Sequence, residues 1–219
     1  MLTVRDNIHD GYLFMATKHG LVKKTPLSEF KNLRKSGLIA INLREGDELL
    51  KVKVTRGDAD IIIVSQEGNA IKFNEQDVRP MGRTASGVKS MNLRENDIAV
   101  CMDIAVDDEE LLVISENGYG KRTPVSEYKR QNRGGVGLIT YKISEKTGKV
   151  VGAIVCKNDD ELMLINTSGI AIRINVSDIS VTSRSAMGVR LMRTSEEEKL
   201  LLLLKLLKLE MKKKMSNYL

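Results

Sequence analysis

Eight glycines give this chain a period of about fifty residues. Gly20, Gly68, Gly118 and Gly169 each follow a short apolar run, at spacings of 48, 50 and 51. Gly37, Gly87, Gly137 and Gly188 form a second series, spaced by 50, 50 and 51. The two series lie 19 residues apart in every unit but the first, where the gap is 17. Whole phrases travel with them: TKHGLVKKTPLSEFK at 17–31 returns as SENGYGKRTPVSEYK at 115–129. A chain of four similar units does not gather one central core. Each unit buries its apolar face against its neighbours.

Each unit reads as β. The lead runs at 12–17, 61–65, 111–115 and 161–166 are short, apolar and often β-branched. They end in turns with Gly, Asn or Ser, where positive φ is cheap and a hairpin doubles back. A polar or basic return strand follows, and in two units Thr-Pro ends it, because proline donates nothing to a ladder. The second glycine opens another strand (GLIAINL, GVKSMNL, GLITYKI, GVRLMR), and a fourth apolar strand closes the unit at 49–54, 98–106 and 150–156. Four strands per fifty residues is the size of a propeller blade. The expected fold is therefore all-β, a radial repeat of about four four-stranded blades at 12–58, 59–108, 109–158 and 159–207. Residues 1–11 read as a partial N-terminal strand or linker and 208–219 as a basic low-complexity tail. Leu200–Leu204 must then close the last unit as a strand, although Leu, Lys and Glu favour helix.

Composition narrows the function classes. Aromatics are 4% and Trp is absent, which disfavours Trp-Asp-type propeller repeats. Cys101 and Cys156 occupy similar fourth-strand slots, as buried small apolar side chains in a reduced compartment do. His9 and His19 have no ligand cluster at metal spacing, so no metal or cofactor is expected. No charged-then-apolar leader and no apolar run of spanning length occur, which reads as a cytoplasmic protein without a membrane partner. No Walker loop, carboxylate pair or nucleophile with a base appears, so no catalytic residue is assigned.

Charge is segregated along the repeat. Between the paired glycines the loops carry +4, +1, +4 and +1, whereas the rest of residues 1–194 is about −6. A base stands four after each first glycine: Lys24, Lys72, Arg122 and Arg173. An arginine stands four before the second glycine at Arg83, Arg133 and Arg184, and Arg34 stands three before it in unit one. With Lys23, Lys31, Lys35, Lys121, Lys129 and Arg130 these residues suit a polyanion laid along one rim. No aromatic stacking platform accompanies them, which favours double-stranded DNA over single strands. Lys23, Lys24, Lys121 and Arg122 are expected to be exposed and to meet phosphates.

HGLVKKTPLSEF, SGLIAINLREGDEL, ENGYGKRTPVSEYKRQNRGGVG and SRSAMGVRLMR resemble the C-terminal domain of the DNA gyrase A protein, over residues 12–194. The resemblance implies a β-pinwheel, a six-bladed disc whose blades exchange strands and whose basic rim wraps duplex DNA. It implies the partners too: DNA, the rest of the gyrase A protein, and the gyrase B protein of an ATP-dependent type II topoisomerase that introduces negative supercoils. The domain itself is non-catalytic in that family. The family's heptapeptide box, Gln-Arg-Arg-Gly-Gly-(Arg or Lys)-Gly, has a degenerate copy in QNRGGVG. There Gln131, Arg133, Gly134, Gly135 and Gly137 match, whereas Asn132 and Val136 do not. The units resemble the last four of six, and an open arc is expected. Two alternatives stand beside this reading. One is the C-terminal domain of the topoisomerase IV A protein, which steers substrate choice. The other is a propeller used as a protein-interaction scaffold, like the fifty-residue repeats of chromatin-associated exchange-factor proteins.

Overall fold

Every unit begins with an antiparallel hairpin around its first glycine. In the computed structural model, which describes residues 10–31, 36–195 and 198–206, these hairpins are four. They are β1 (Tyr12–Thr17) with β2 (Leu21–Pro26), β4 (Asp60–Ser65) with β5 (Asn69–Asn74), β8 (Glu110–Ser115) with β9 (Tyr119–Pro124), and β12 (Glu161–Asn166) with β13 (Ala171–Asn175). On the other side of each lead strand lies the closing strand: β3 (Leu49–Thr55), β7 (Ala99–Ile104), β11 (Val150–Cys156) and β15 (Leu200–Leu206). These four pack beside one another in chain order, so they form the inner edge of the blades.

The third strand of each unit does not stay at home. β6 (Val88–Lys89) belongs to unit two but pairs with β2 of unit one. β10 (Leu138–Ile139) likewise pairs with β5, and β14 (Val189–Arg190) with β9. The sheets are therefore β3-β1-β2-β6, β7-β4-β5-β10, β11-β8-β9-β14 and β15-β12-β13. Counting strands along the sequence put four in each unit's own blade; three blades instead take their outer strand from the next unit, and the fourth has three strands. Residues 37–44 of unit one carry no strand, since the described residues include no preceding sheet to receive them. Of the partial strand or linker expected at 1–11, residues 1–9 lie outside the described residues.

The glycine ruler is the mark of these crossings. Gly137 has φ +82, and a Cβ on it would lie 2.5 Å from the Ala70 carbonyl oxygen of the preceding unit. Gly118 has φ +76, and its Cβ would collide with the Met192 carbonyl oxygen of the following unit. At the two ends of the series, Gly37 and Gly169, such a Cβ would meet nothing within 4 Å among the described residues.

The middle lead strands β4 and β8 are apolar and buried on both faces because their blades are sandwiched between neighbours. Ile61 and Ile63 point into a core shared with Phe14 and Val22 of unit one. Ile62 and Val64, one residue out of step, join Leu111, Val113 and Tyr119 of unit three. Leu112 and Ile114 then meet Leu162 and Leu164 of unit four. The leucine run obeys position rather than propensity: β15 pairs with β12 over its whole length, and Leu200 is buried in that last core. Cys101 and Cys156 are free and buried, and burial pushes both thiols up to about 12.

Candidate nucleic-acid interface

The bases after the first glycine sit on the return strands, and in units one to three they are not on the surface. Lys23 and Lys121 are 0% exposed, and Lys24, Lys72 and Arg122 are buried as well. The expectation that Lys23, Lys24, Lys121 and Arg122 face solvent is corrected here. A cation is buried at acceptable cost only where acceptors surround it. Here most of the acceptors come from the next unit. Lys23 Nζ donates to the carbonyls of Ala40 and Arg83, and Lys121 Nζ to those of Ser183 and Arg184. Desolvation lowers both ammonium pKa values to about 8, helped by Arg83 at Lys23 and opposed by Glu127 at Lys121.

The position after these follows one rule. Lys24 Nζ donates to Glu75 O at 2.9 Å, Lys72 Nζ to Val125 O at 3.3 Å, and Arg122 Nε to Ile179 O at 2.7 Å. Lys72 also pairs with Asp107 at 2.8 Å, and Arg122 with Glu110 at 2.7 Å. Their backbones join the same neighbours: Met81 N, Gln131 N and Thr182 N donate to the carbonyls of Lys24, Lys72 and Arg122, each at 2.8 Å. Arg173 is the fourth of the series. It has no following unit to grip among the described residues; its side chain is 64% exposed and ion-paired to Glu161 on its own hairpin.

The arginines before the second glycine are clips of the opposite sense. Arg83 donates to Ile39 O at 3.5 Å, Arg133 to Lys89 O at 2.9 Å, and Arg184 to Ile139 O at 3.2 Å. Each acceptor lies two residues past the preceding unit's second glycine. Arg133 holds Asp77 O at 3.0 Å too, while Gly134 N donates to Ser90 O and Asn92 N to Gly135 O. The degenerate box, Gln131 through Gly137, is thereby a splint across the junction of units two and three.

The bases left to solvent are fewer. Lys31, Lys129, Arg130 and Arg173 are exposed, and Arg130 leans on Asp60 at 2.9 Å. Arg34 and Lys35 lie outside the described residues. Sequence reasoning missed Arg79, Lys89 and Arg190, which are exposed as well. Lys89 and Arg190 stand two after a second glycine, just outside the interval between the paired glycines, and ride on the donated outer strands β6 and β14. A base at that offset is the signal the sequence offers in units two and four, whereas units one and three have Ile39 and Ile139 there. Among the described residues no His, Cys, Asp and Glu cluster could hold a metal, and no helix is long and apolar enough to cross a membrane.

The family model described as DNA gyrase C-terminal domain, beta-propeller, matches residues 11–56, 59–100, 109–157 and 160–205. The chain belongs to the DNA gyrase C-terminal domain family. Among curated gyrase-family relatives, the DNA gyrase A protein of Clostridium acetobutylicum is 64% identical over 206 residues, covering 94% of this chain and 25% of that protein. The DNA gyrase A protein of Klebsiella oxytoca is 41% identical over 198 residues, covering 90% of this chain and 23% of that one. The chain thus spans about a quarter of the length of the gyrase relatives it matches. A solved DNA gyrase A C-terminal domain superposes with a TM-score of 0.83 at 31% identity, covering 93% of this chain and 68% of the other. The C-terminal domain of DNA topoisomerase IV gives 0.87 at 28%, covering 93% and 64%. The gyrase-type fold is thus an accessory domain of type IIA topoisomerases.

Proposed function

We propose that this domain binds duplex DNA without sequence preference and bends it along the outer rim, as the non-catalytic C-terminal part of a gyrase A protein. The carrying observation is the row of exposed Lys and Arg on the rim, on the donated outer strands beside the hairpin turns and at the far end of a six-residue return strand. Lys89 and Arg190 lie opposite Leu21 and Tyr119 at the hairpin ends. Arg130 reaches Asp60 at the far end of blade two. A six-residue strand is about 17 Å long, enough to reach across a major groove about 12 Å wide. Bases at opposite ends of neighbouring blades, Lys89 and Arg190 at one end and Arg130 at the other, are thereby spaced to meet the two phosphate strands that bound one groove. Nothing on the described rim enters a groove to read bases, so backbone contacts set affinity and not sequence. The rest of the gyrase A protein, the gyrase B protein and negative supercoiling follow as the setting of such a domain. Relatives 41–64% identical are gyrase A proteins, which favours this setting over topoisomerase IV.

Bending is tested by energy transfer between dyes at the ends of a duplex of about 30 bp, a length that resists smooth bending. The expected result is a rise in transfer on saturation, equal for unrelated sequences. Binding without any rise contradicts bending, and no binding to duplex leaves an interaction scaffold as the better account.

A further inference from the structure

At the junction of units three and four, near the hairpin turn at Gly118, lies a pocket of about 280 Å³. Among the described residues its walls are Asn117, Tyr119, Lys146, Arg190, Lys199 and the adjacent Thr194 and Ser195, with three cations and no carboxylate among these. The cations arrive on separate elements: Arg190 on β14, Lys146 in the turn before β11, Lys199 just before β15. Tyr119 organises them. Its hydroxyl accepts from Arg190 Nη2 at 2.6 Å and Nε at 3.1 Å, and Lys146 Nζ stands 5.4 Å from its ring centroid. Lys199 Nζ is held by Asn117 Oδ1 at 2.7 Å. Two carboxylates border the pocket, and each also has a partner outside it. Glu116 accepts from Lys149 N and lies 3.8 Å from Lys199, and Glu198 accepts from Ser168 and from Ser195 N.

We infer that this pocket is a phosphate subsite that seats one backbone phosphate of duplex DNA. Three cationic donors with hydroxyl groups beside them match the charge and hydrogen-bonding needs of a phosphate oxygen cluster. Arg190 belongs at once to the pocket and to the rim, so a phosphate seated here continues the path along the outer strands. The site is special to this junction: the positions of Tyr119 and Arg190 are Leu21 and Lys89 at the first, and Asn69 and Ile139 at the second. One built subsite among plain rim charges fixes where along the arc the duplex sits. This inference rests on the proposed DNA binding.

The test uses the full chain and its variants Lys146→Gln/Lys199→Gln and Lys129→Gln/Arg130→Gln. Random-sequence duplex is titrated over a salt series, and inorganic phosphate at fixed ionic strength is followed by thermal shift. The pocket variant is expected to lower the log K against log salt slope by about one unit or more and to abolish a phosphate-specific thermal shift. An unchanged slope for the pocket variant beside a lowered one for the rim variant overturns the subsite alone. A phosphate shift that survives the pocket variant overturns it too, as does one lost with no change in DNA slope, which marks a small-anion site. If neither variant moves the slope, the DNA reading itself fails.

Discussion

A lysine in KKTP reads the same whether its ammonium faces water or a carbonyl. Only the acceptor decides, and Arg83 stands 60 residues beyond Lys23 and Arg184 63 beyond Lys121. That is why the basic recurrence was legible in the sequence while its purpose was not. The pH dependence of stability reports the difference. Lys121 has a folded pKa near 8 against an ordinary value of 10.5. Between those values the unfolded chain binds more protons than the folded one, so this residue makes stability rise with pH across that window. Lys121→Met lacks the effect and leaves two carbonyls without their donor. The stability gap between wild type and variant, followed by urea unfolding, is expected to widen from pH 8 to 10.5. A constant gap contradicts a buried, charged latch.

At the scale of the element, the lead strands were plain from their apolar runs, and β15 from its place in the period. The repeat pattern showed the donated strands as strands but not as donations, and the exchange was expected only through the family resemblance. Two residues such as Val88–Lys89 carry no pattern that says which sheet they join. Their glycines record the answer as close approach of backbones, which a sequence shows only as spacing. Gly118 and Gly169 make the cleanest comparison, with φ of +76 and +80 and the same hairpin role. Gly169→Ala is expected to cost about 1 kcal/mol for the left-handed backbone alone. Gly118→Ala adds the clash with the Met192 carbonyl and is expected to cost a few kcal/mol more, separating blade four from blade three. Equal losses in urea unfolding contradict the crossing as the reason for the ruler.

For the whole molecule, the segregation of charge has two layers. Buried bases fasten each blade to the next, and a thinner set of exposed bases remains on the surface, where the proposed function seats DNA. The net loop charge of the sequence merged the two, which is why units one and three looked dominant. With the latches set aside, Lys31, Arg79, Lys89, Lys129, Arg130, Arg173 and Arg190 are the exposed bases of the rim. The measurement that separates the layers is the salt dependence of binding to random duplex DNA for two variants, with their thermal melts recorded alongside. Replacing Lys31, Lys89, Lys129 and Arg130 by Gln is expected to lower the slope of log K against log salt by about three to four units, with melting unchanged. Replacing Lys23 and Lys121 by Met is expected to shift melting and to leave the slope at its wild-type value. A lowered slope for the latch variant, with none for the rim variant, contradicts this account.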